Sequence, residues 1–459
     1  MSFEVINPAT GKTVRSYEEM SHNACDAAIE AAHAAFLSWR KDGFETRAKL
    51  MRNAARILHD RAKDFAKLMA EEMGKPVSAG IAEARKCALA CDFYAENAPK
   101  FLARQIVESG EKKSFVAFQP IGVVLAVMPW NFPFWQVIRF AAPALMAGNA
   151  GVLKHASNVP GCALALEQLF RDAGFPEHLF RALMIGSKAV DGVIEHSLVR
   201  AVTLTGSGPA GRAVAAKAGA MLKKSVLELG GSDPYLVLEG SDLEFVAKAC
   251  AKGRLVNSGQ SCIAAKRFIV LETMRARFEE LLAAAMASAK MGDPMDEKTE
   301  IGPMARRDLR EDIHSQVMES VKKGARLLCG GKMPEGPGAF YPPTVLADVK
   351  PGMPAYDDEV FGPVAAIIAV KDVDEAVRVA NDTPFGLGGG IFTPDLALGE
   401  KLAVEDIGAG CVFVNATVVS DPKLPFGGIK ESGYGRELSE FGIFEFVNIK
   451  TVTVVPHKP

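Results

Sequence analysis

The sequence lacks the patterns with which proteins most often bind metals or nucleic acids. Its eight cysteines form no CxxC pair and its eight histidines form no HExxH or other ligand spacing, so we expect no metal site. The formal net charge is −2 at pH 7, and no lysine and arginine cluster is interleaved with aromatics. We therefore expect no nucleic-acid partner. A reducing compartment would leave the scattered cysteines as thiols.

Targeting and membrane-spanning segments are also missing from the sequence. The N-terminal "MSFEVINPATGKTV" lacks the charged and then apolar layout of a signal peptide, and we expect a cytoplasmic protein. The most apolar stretch, 121–153, is interrupted too often for a membrane helix. The interruptions are Pro129, Asn131, Pro133, Gln136 and Arg139. We expect this stretch to form buried core around a site, without membrane contact.

The sequence does contain an alternation of two hydrophobic periods. Apolar residues recur every three or four positions over 25–40, over 47–75 and on to about residue 98, which predicts an N-terminal helical region. Short β-branched runs such as "GVVLAVM", "AGVLKH" and "AVTLTG" then alternate with helical segments. This alternation predicts an α/β fold with a Rossmann-like, doubly wound parallel sheet. A second alternating section after Cys262 predicts a second α/β domain.

A glycine pattern suggests a nucleotide site. Gly206, Gly208 and Gly211 spell GxGxxG where a β run meets an alanine-rich helical run. Such glycines let the backbone approach a pyrophosphate at a helix N-terminus, although a turn that only packs a helix on a strand would have the same letters. Glu228 follows at the distance of a ribose-binding acid. At the end of an apolar strand it is equally suited to be a partly desolvated general base.

Cys262 stands among small and polar residues in "NSGQSCIAAK" (257–266). Three interpretations are open: a packing residue, half of a disulfide, or a nucleophile. Cys87 and Cys91, four residues apart in an alanine-rich run, are most simply helix packing. The surroundings of Cys262 are different, because Glu228 lies 34 residues before it and the segments "PWN" and "LKHAS" lie further upstream.

These segments belong to a series that resembles the aldehyde dehydrogenase superfamily over essentially the whole chain. In family order they are "MPWNFPFW" (128–135), "LKHAS" (153–157), "TGSGPAG" (205–211), "LELGGSDP" (227–234), "GQSCIA" (259–264), "EVFGPV" (359–364) and "PFGGIKESG" (425–433). Within the superfamily, the length of 459 residues and the segments "LKHASN", "GQSCIAAKRF" and "SDPKLPFGG" resemble the short succinate semialdehyde dehydrogenases.

The resemblance implies a catalytic role for three residues. Cys262 would attack an aldehyde carbonyl as its thiolate, and a thiol with an ordinary pKa needs help to ionise. Glu228 would generate the thiolate and later activate the water that hydrolyses the thioester. Asn131 and the backbone N–H of Cys262 would hold the developing oxyanion.

The resemblance also implies a nicotinamide cofactor, NADP or NAD. The residues implied to contact it are Trp130 and Lys154 at the adenosine half, Gly206 and Ser207 at the pyrophosphate, and Glu359 and Phe361 at the nicotinamide ribose and ring. NAD-preferring relatives carry a glutamate where this chain has Ser157, so we expect NADP to be accepted at least as well as NAD. His155 replaces a usual proline, and its imidazole would either crowd a 2′-phosphate or, if protonated, attract it.

For the substrate, the resemblance implies a short semialdehyde with a distal carboxylate. Arg139 stands where the similar enzymes place an arginine that grips this carboxylate, and a guanidinium suits the task. The alternative is an arginine paired with a buried acid. A second arginine of the family corresponds here to Val256, and Ser420 is expected to supply a hydroxyl to the substrate.

The resemblance also implies that the chain has three structural parts. The cofactor-binding domain would comprise 1–102 and 121–232, and the catalytic domain 233–435. An oligomerisation arm would combine a hairpin at 103–120 with the C-terminal 436–459, whose strands would otherwise leave open edges. We expect a homodimer or a homotetramer.

Other classes of protein have the same elements. A non-enzymatic protein on this fold would not need Asn131, Glu228 and Cys262 together. A CoA-acylating relative would release the thioester to CoA, which a hydrolytic base at Glu228 disfavours. A simple Rossmann alcohol dehydrogenase would need zinc ligands or a Tyr-x-x-x-Lys pair, and neither stands out.

Overall fold

The computed structural model describes residues 2–110 and 112–455; residues 1, 111 and 456–459 of the predicted domain and arm ranges lie outside them. The helices are α1 His22–Trp39, α2 Phe44–Asp60, α3 Ala62–Met73, α4 Val77–Phe101, α5 Trp135–Ala147, α6 Pro160–Asp172, α7 Val190–Glu195, α8 Gly208–Ala220, α9 Leu243–Leu255, α10 Arg275–Ala287, α11 Arg307–Lys322, α12 Pro354–Asp357, α13 Val373–Asn381, α14 Leu396–Lys401 and α15 Ser439–Phe444. The strands are β1 Ser2–Ile6, β2 Thr13–Glu18, β3 Gln105–Ser109, β4 Lys112–Pro120, β5 Val123–Met128, β6 Ala150–His155, β7 Phe180–Ala182, β8 Val199–Thr205, β9 Lys224–Glu228, β10 Pro234–Val237, β11 Arg267–Leu271, β12 Arg326–Cys329, β13 Thr344–Ala347, β14 Val364–Val370, β15 Gly388–Phe392, β16 Cys411–Val414, β17 Gly433–Tyr434 and β18 Val447–Val454.

The first large sheet has the strand order β17-β9-β8-β5-β6-β7. Strands β5 to β9 are parallel, and the short β17 adds antiparallel to β9. The chain runs outward from β5 through β6 to β7 and then returns to β8 and β9 on the other side of β5. This reversal between β5 and β8 is a topological switch point, outside which open α/β sheets bind their ligands.

The second large sheet has seven strands in the order β12-β13-β14-β11-β10-β15-β16, all parallel except the edge strand β12. Successive side chains of a strand point to opposite faces. Along β10, Tyr235 and Val237 pack into one apolar cluster, whereas Leu236 packs into another. Both faces are therefore buried, as in doubly wound folds. The α/β class and the second α/β section predicted from the sequence are confirmed.

The N-terminal helices differ in one place from the sequence prediction. The helical pattern over 47–75 is two helices, α2 and α3, because Arg61 takes non-helical backbone angles (φ −102°, ψ 18°) between them. Its guanidinium lies over the ring of Phe65, 5.1 Å from the centroid. Every residue of α5 is buried, as expected for the stretch 121–153. No helix among the described residues is long and apolar enough to cross a membrane.

A separate three-stranded sheet, in the order β18-β4-β3, is built from the segments predicted to form an arm. Strand β18 pairs with β4 from Val447 opposite Pro120 to Val454 opposite Lys113. Several of its apolar side chains are exposed: Ile106, Val107, Ile449 and Val454. A role of this sheet in assembly stays a prediction.

Candidate active site

The carboxyl ends of the parallel strands of the first sheet open onto one cavity of about 390 Å³. Strand β5 leads into Trp130 and Asn131, and strand β8 leads into Gly206 and Ser207. The second domain closes the cavity with Cys262, Glu359, Phe361, Arg306 and Leu309. Seven residues predicted from the sequence therefore line a common space: Trp130, Asn131, Gly206, Ser207, Cys262, Glu359 and Phe361.

The turn that carries Cys262 is tightly held. Asn257 and Ser258 precede it with φ of 54° and 56°, a region that non-glycine residues rarely adopt. Asn257 Nδ2 donates to the Asn131 carbonyl at 2.7 Å and to the Gln260 carbonyl at 3.1 Å. Ser258 Oγ accepts from the Gly302 N–H at 2.9 Å. These bonds hold the strained backbone, and strain of this kind is typical of functional sites.

Lys266 holds the other side of this turn. Its Nζ donates to the carbonyls of Ser261 at 3.1 Å and Cys262 at 2.6 Å, and it lies 3.6 Å from a carboxylate oxygen of Glu359. Burial raises the pKa of the Cys262 thiol to about 12, although the positive charges of Arg139 and Lys266 oppose this. Cys262 is therefore a thiol at neutral pH in this structure, and it needs a base to react.

Glu228, at the end of β9, is the predicted candidate for this base. It is buried, and neither carboxyl oxygen has a hydrogen-bond partner among the described residues. Burial, and next the negative charge of Glu437, raise its pKa well above the usual value, against Arg139. The side chain also raises the pKa of Cys262 through its charge, and it does not line the cavity. A position outside the cavity disfavours ribose binding there, and the general-base role stays a prediction.

Asn131 is held by an amide that sequence reasoning missed. Gln136 Nε2 donates to Asn131 Oδ1 at 3.1 Å, while Asn131 Nδ2 donates to the Gln260 carbonyl at 3.1 Å. Gln136 thereby fixes which end of the Asn131 amide is the donor, and one N–H of Nδ2 is left for a ligand. The signal in the sequence was a lone amide in the otherwise apolar run of α5.

The N-terminus of α8 fits a phosphate group. Its N-cap, Ser207, makes no side-chain capping bond; Pro209 has no N–H, so the N–H groups of Gly208 and Ala210 are the ones available to an anion. Gly211 lies against β9: a Cβ there would come within 2.6 Å of the Leu229 side chain. The third glycine of the pattern thus serves close packing of helix on strand, and binding of a ligand at the uncapped turn stays a prediction.

The opposite wall of the cavity carries the residues implied for the nicotinamide end. Glu359 Oε1 accepts from the Gly231 N–H at 3.0 Å. Burial raises its pKa, and Lys266 opposes this. Phe361 meets Trp130 edge to face, with ring centroids 5.9 Å apart. These contacts hold an apolar wall and a carboxylate on the same side of the cavity.

The residues implied for the adenosine end follow β6, outside this cavity. Ser157 is exposed and Lys154 is half-buried, and burial lowers the pKa of Lys154. His155 is turned inward: the Ala156 N–H donates to its Nδ1 at 3.0 Å, and its Nε2 lies 2.9 Å from the Pro133 carbonyl. Burial lowers its pKa to about 4. A neutral, buried imidazole neither crowds nor attracts a phosphate near Ser157, so both effects considered for His155 are absent.

Arg139 is found in the alternative arrangement that the sequence left open. Its guanidinium forms an ion pair with Glu437, both side chains being buried, and lies over the Phe426 ring at 4.7 Å from the centroid. It does not line the cavity. Its role in gripping a substrate carboxylate stays a prediction.

Ser420, the second residue implied for the substrate, is also buried. Its Oγ accepts from Lys86 Nζ at 2.7 Å and from Trp135 Nε1 at 3.2 Å. Val256, by contrast, is exposed. Sequence reasoning missed Lys86, because one lysine on a long amphipathic helix has no distinguishing pattern.

A doubly wound sheet whose strand ends share a cavity with a half-buried cysteine is the arrangement of a cofactor-dependent oxidoreductase. The model of the aldehyde dehydrogenase family matches residues 1–452, and the chain belongs to this family.

Relatives of the chain were found over nearly its full length. It is 50% identical to the probable succinate-semialdehyde dehydrogenase [NADP(+)] of Synechocystis sp., covering 99% of this chain and 100% of the relative. It is 48% identical to succinate-semialdehyde dehydrogenase [NADP(+)] 1 of Mycobacterium bovis, again over 99% and 100%. The crystal structure of succinic semialdehyde dehydrogenase from Streptococcus pyogenes, in complex with NADP+ as the cofactor, superimposes with a TM-score of 0.96 at 38% identity, covering 99% and 100%.

Proposed function

We propose that this protein oxidises succinate semialdehyde to succinate with NADP+. The observation that carries the proposal is that Cys262, the Asn131 amide and the uncapped N-terminus of α8 meet at one cavity. The names of the relatives that share about half of its residues support the substrate and the cofactor. When bound, the oxidised cofactor accepts the hydride that the aldehyde carbon loses.

In this proposal Cys262 is the nucleophile. Its proton leaves, the sulfur bonds to the aldehyde carbon, and a thiohemiacetal forms. Loss of hydride then gives a thioester on Cys262. Because burial holds the thiol protonated, the attack depends on a base close to the sulfur.

Asn131 and the Cys262 backbone N–H act on the carbonyl oxygen. The free N–H of Asn131 Nδ2 and the backbone N–H donate to the oxygen as it gains negative charge. Gln136 and the Gln260 carbonyl orient the Asn131 amide before the substrate arrives. A preorganised donor of this kind contributes roughly 10²-fold to the rate.

Glu228 acts as the base. It takes the thiol proton and later takes a proton from the water that attacks the thioester, so that succinate leaves and the Cys262 thiol returns. Its raised pKa makes it a stronger proton acceptor than an ordinary carboxylate. Its burial keeps other water away from the thioester.

Ser157 and Lys154 are proposed to select NADP+. Ser157 is neutral and exposed, so nothing at this position repels a 2′-phosphate. Lys154, three residues earlier, would supply positive charge to the phosphate, and the inward turn of His155 leaves the space free. Glu359, Phe361 and Trp130 would hold the other end of the cofactor.

The proposed function also includes a domain organisation, an assembly of subunits and a cellular location. We propose 1–102 and 121–232 as the cofactor-binding domain, 233–435 as the catalytic domain, and 103–120 with 436–459 as an arm that joins subunits in a dimer or tetramer. The exposed apolar residues of β3 and β18 support the arm. All eight cysteines lie among the described residues without a disulfide there, which supports a cytoplasmic location.

One steady-state panel tests the proposed function. Succinate semialdehyde, butanal and other short aldehydes are supplied with NADP+ or NAD+ and without CoA. We expect the highest kcat/KM for succinate semialdehyde with NADP+. Activity that appears only when CoA is added would show that the enzyme is an acylating relative.

A further inference from the structure

Lys86 is a half-buried cation without an anionic partner. Its Nζ bonds to Ser420 Oγ at 2.7 Å and lies 4.3 Å from the centroid of the Trp135 ring. Among residues 2–110 and 112–455, no carboxylate oxygen lies within the ion-pair distance of 4.0 Å of this Nζ. Burial, and next the positive charge of Arg139, lower its pKa to about 8.

The nearby acids are committed or distant. Glu83, one turn earlier on α4, pairs with Lys75, and its Oε1 accepts the N–H groups of Phe134 and Trp135 at 2.9 Å each. Glu437 is paired with Arg139. Asp421 acts on Lys86 only as a more distant charge. Burying a cation without a counter-ion has a cost that an incoming anion would relieve.

Ser420 beside Lys86 has an unused donor. Its oxygen accepts two hydrogen bonds, from Lys86 and from Trp135, and its own O–H has no acceptor among the described residues. Lys86 likewise uses one of its three N–H donors on Ser420. Two N–H donors of Lys86 and the O–H of Ser420 therefore remain free on neighbouring atoms, which is a suitable arrangement for a carboxylate.

This pair of donors lies beside the end of α5 that borders the Cys262 cavity, because both contact Trp135 and the next residue, Gln136, lines that cavity. Trp135 and Arg139 are four residues apart on α5 and so share a face of that helix. Arg139 lies 3.5 Å from Thr205, which lines the Cys262 cavity. The charge of Arg139 acts on both Cys262 and Lys86. An aldehyde carbon at Cys262 would direct a short chain toward Trp135 and Lys86.

We infer that Lys86, above the Trp135 ring, and Ser420, at the Nε1 edge of that ring, bind the distal carboxylate of the semialdehyde. This inference rests on the proposed function and deepens it by assigning substrate selection to Lys86. Arg139 is already paired with Glu437 and contributes a fixed positive charge near Lys86.

The test compares two aldehydes in three variants. Lys86→Met removes the charge and keeps most of the length, Lys86→Arg keeps a cation, and Ser420→Ala removes the hydroxyl. We expect Lys86→Met to lower the ratio of kcat/KM for succinate semialdehyde to that for butanal roughly tenfold or more, because a charge-assisted bond is lost. Lys86→Arg should recover part of this ratio, and Ser420→Ala should lower it less. The inhibition constant of succinate should rise in parallel.

Two kinds of failure are separable in this experiment. If the wild type shows no preference for succinate semialdehyde over butanal, the proposed substrate is wrong. If the wild type shows the preference and folded Lys86→Met keeps it, the assignment to Lys86 is overturned while the proposed function stands. Should Lys86→Met fail to fold, Lys86→Gln and the ratio in Ser420→Ala decide in the same way.

Discussion

Replacing Arg139 by methionine should lower the free energy of unfolding and leave the preference between aldehydes unchanged. The guanidinium and its partner Glu437 are 3% and 5% exposed, so Arg139→Met leaves a carboxylate buried without its cation. Breaking such a pair from one side costs about 3–5 kcal/mol. Glu437 can bind a proton and so reduce this cost, because burial already raises its pKa. We therefore expect the free energy of unfolding to fall by about 3 kcal/mol.

The same substitution has a predictable effect on activity. Arg139 lowers the pKa of both Glu228 and Cys262, so without it both groups ionise at higher pH. The rising limb of the pH–activity profile should therefore move upward, by the same amount for succinate semialdehyde and for butanal. Glu437→Gln is the matched control, because it removes the negative member of the pair and leaves the positive one.

The assays are urea unfolding at fixed protein concentration and kcat/KM for the two aldehydes. In the double variant Arg139→Met with Glu437→Leu, the loss of unfolding free energy should be smaller than the sum of the single losses. The reasoning is refuted if the free energy of unfolding of Arg139→Met lies within about 1 kcal/mol of the wild-type value and the variant loses activity for succinate semialdehyde alone. That result would confirm instead the substrate role predicted for Arg139 from the sequence.

Three further predictions concern other positions. Gln136→Leu releases the Asn131 amide, and kcat should fall about five- to tenfold for every aldehyde while the unfolding curve changes little; an unchanged kcat would contradict the orienting role. Ser157→Glu should raise the KM for NADP+ far more than that for NAD+, because a like charge in a partly enclosed site costs about 1–3 kcal/mol; an unaltered ratio of kcat/KM for the two cofactors would exclude this account. Because the pKa of Glu228 is raised, wild-type activity should increase as the pH rises above the usual range of a carboxyl group and this group loses its proton; stopped-flow traces of Glu228→Gln should show slow hydrolysis of the thioester, and a wild-type profile without such a rise would oppose a basic role.

The sequence allowed the fold class and half of the cavity lining to be predicted. The reason is that the strands of both sheets are short apolar runs, and that Trp130, Asn131, Gly206 and Ser207 directly follow the ends of two of them. Since parallel strands end at the same edge, proximity in space follows from position along the chain.

The partners of each side chain could not be predicted in the same way. Arg139 and Glu437 are 298 residues apart in the sequence, and no local pattern reveals that they form a buried pair. Lys86 meets Ser420 across 334 residues. Such contacts depend on how α4 and α5 pack against the C-terminal segment, which neither hydrophobic period nor motif spacing specifies.

The central claim of the account is that Cys262 carries the acyl group during the reaction. Mass spectrometry of enzyme quenched in acid after mixing with succinate semialdehyde and NADP+ measures this directly. We expect an acyl adduct on the peptide that contains Cys262, more of it in Glu228→Gln because its hydrolysis is slowed, and none in Cys262→Ala, which should be inactive though folded and able to bind NADP+. Turnover of Cys262→Ala above a few per cent of the wild type, or an adduct on another residue, would contradict the claim.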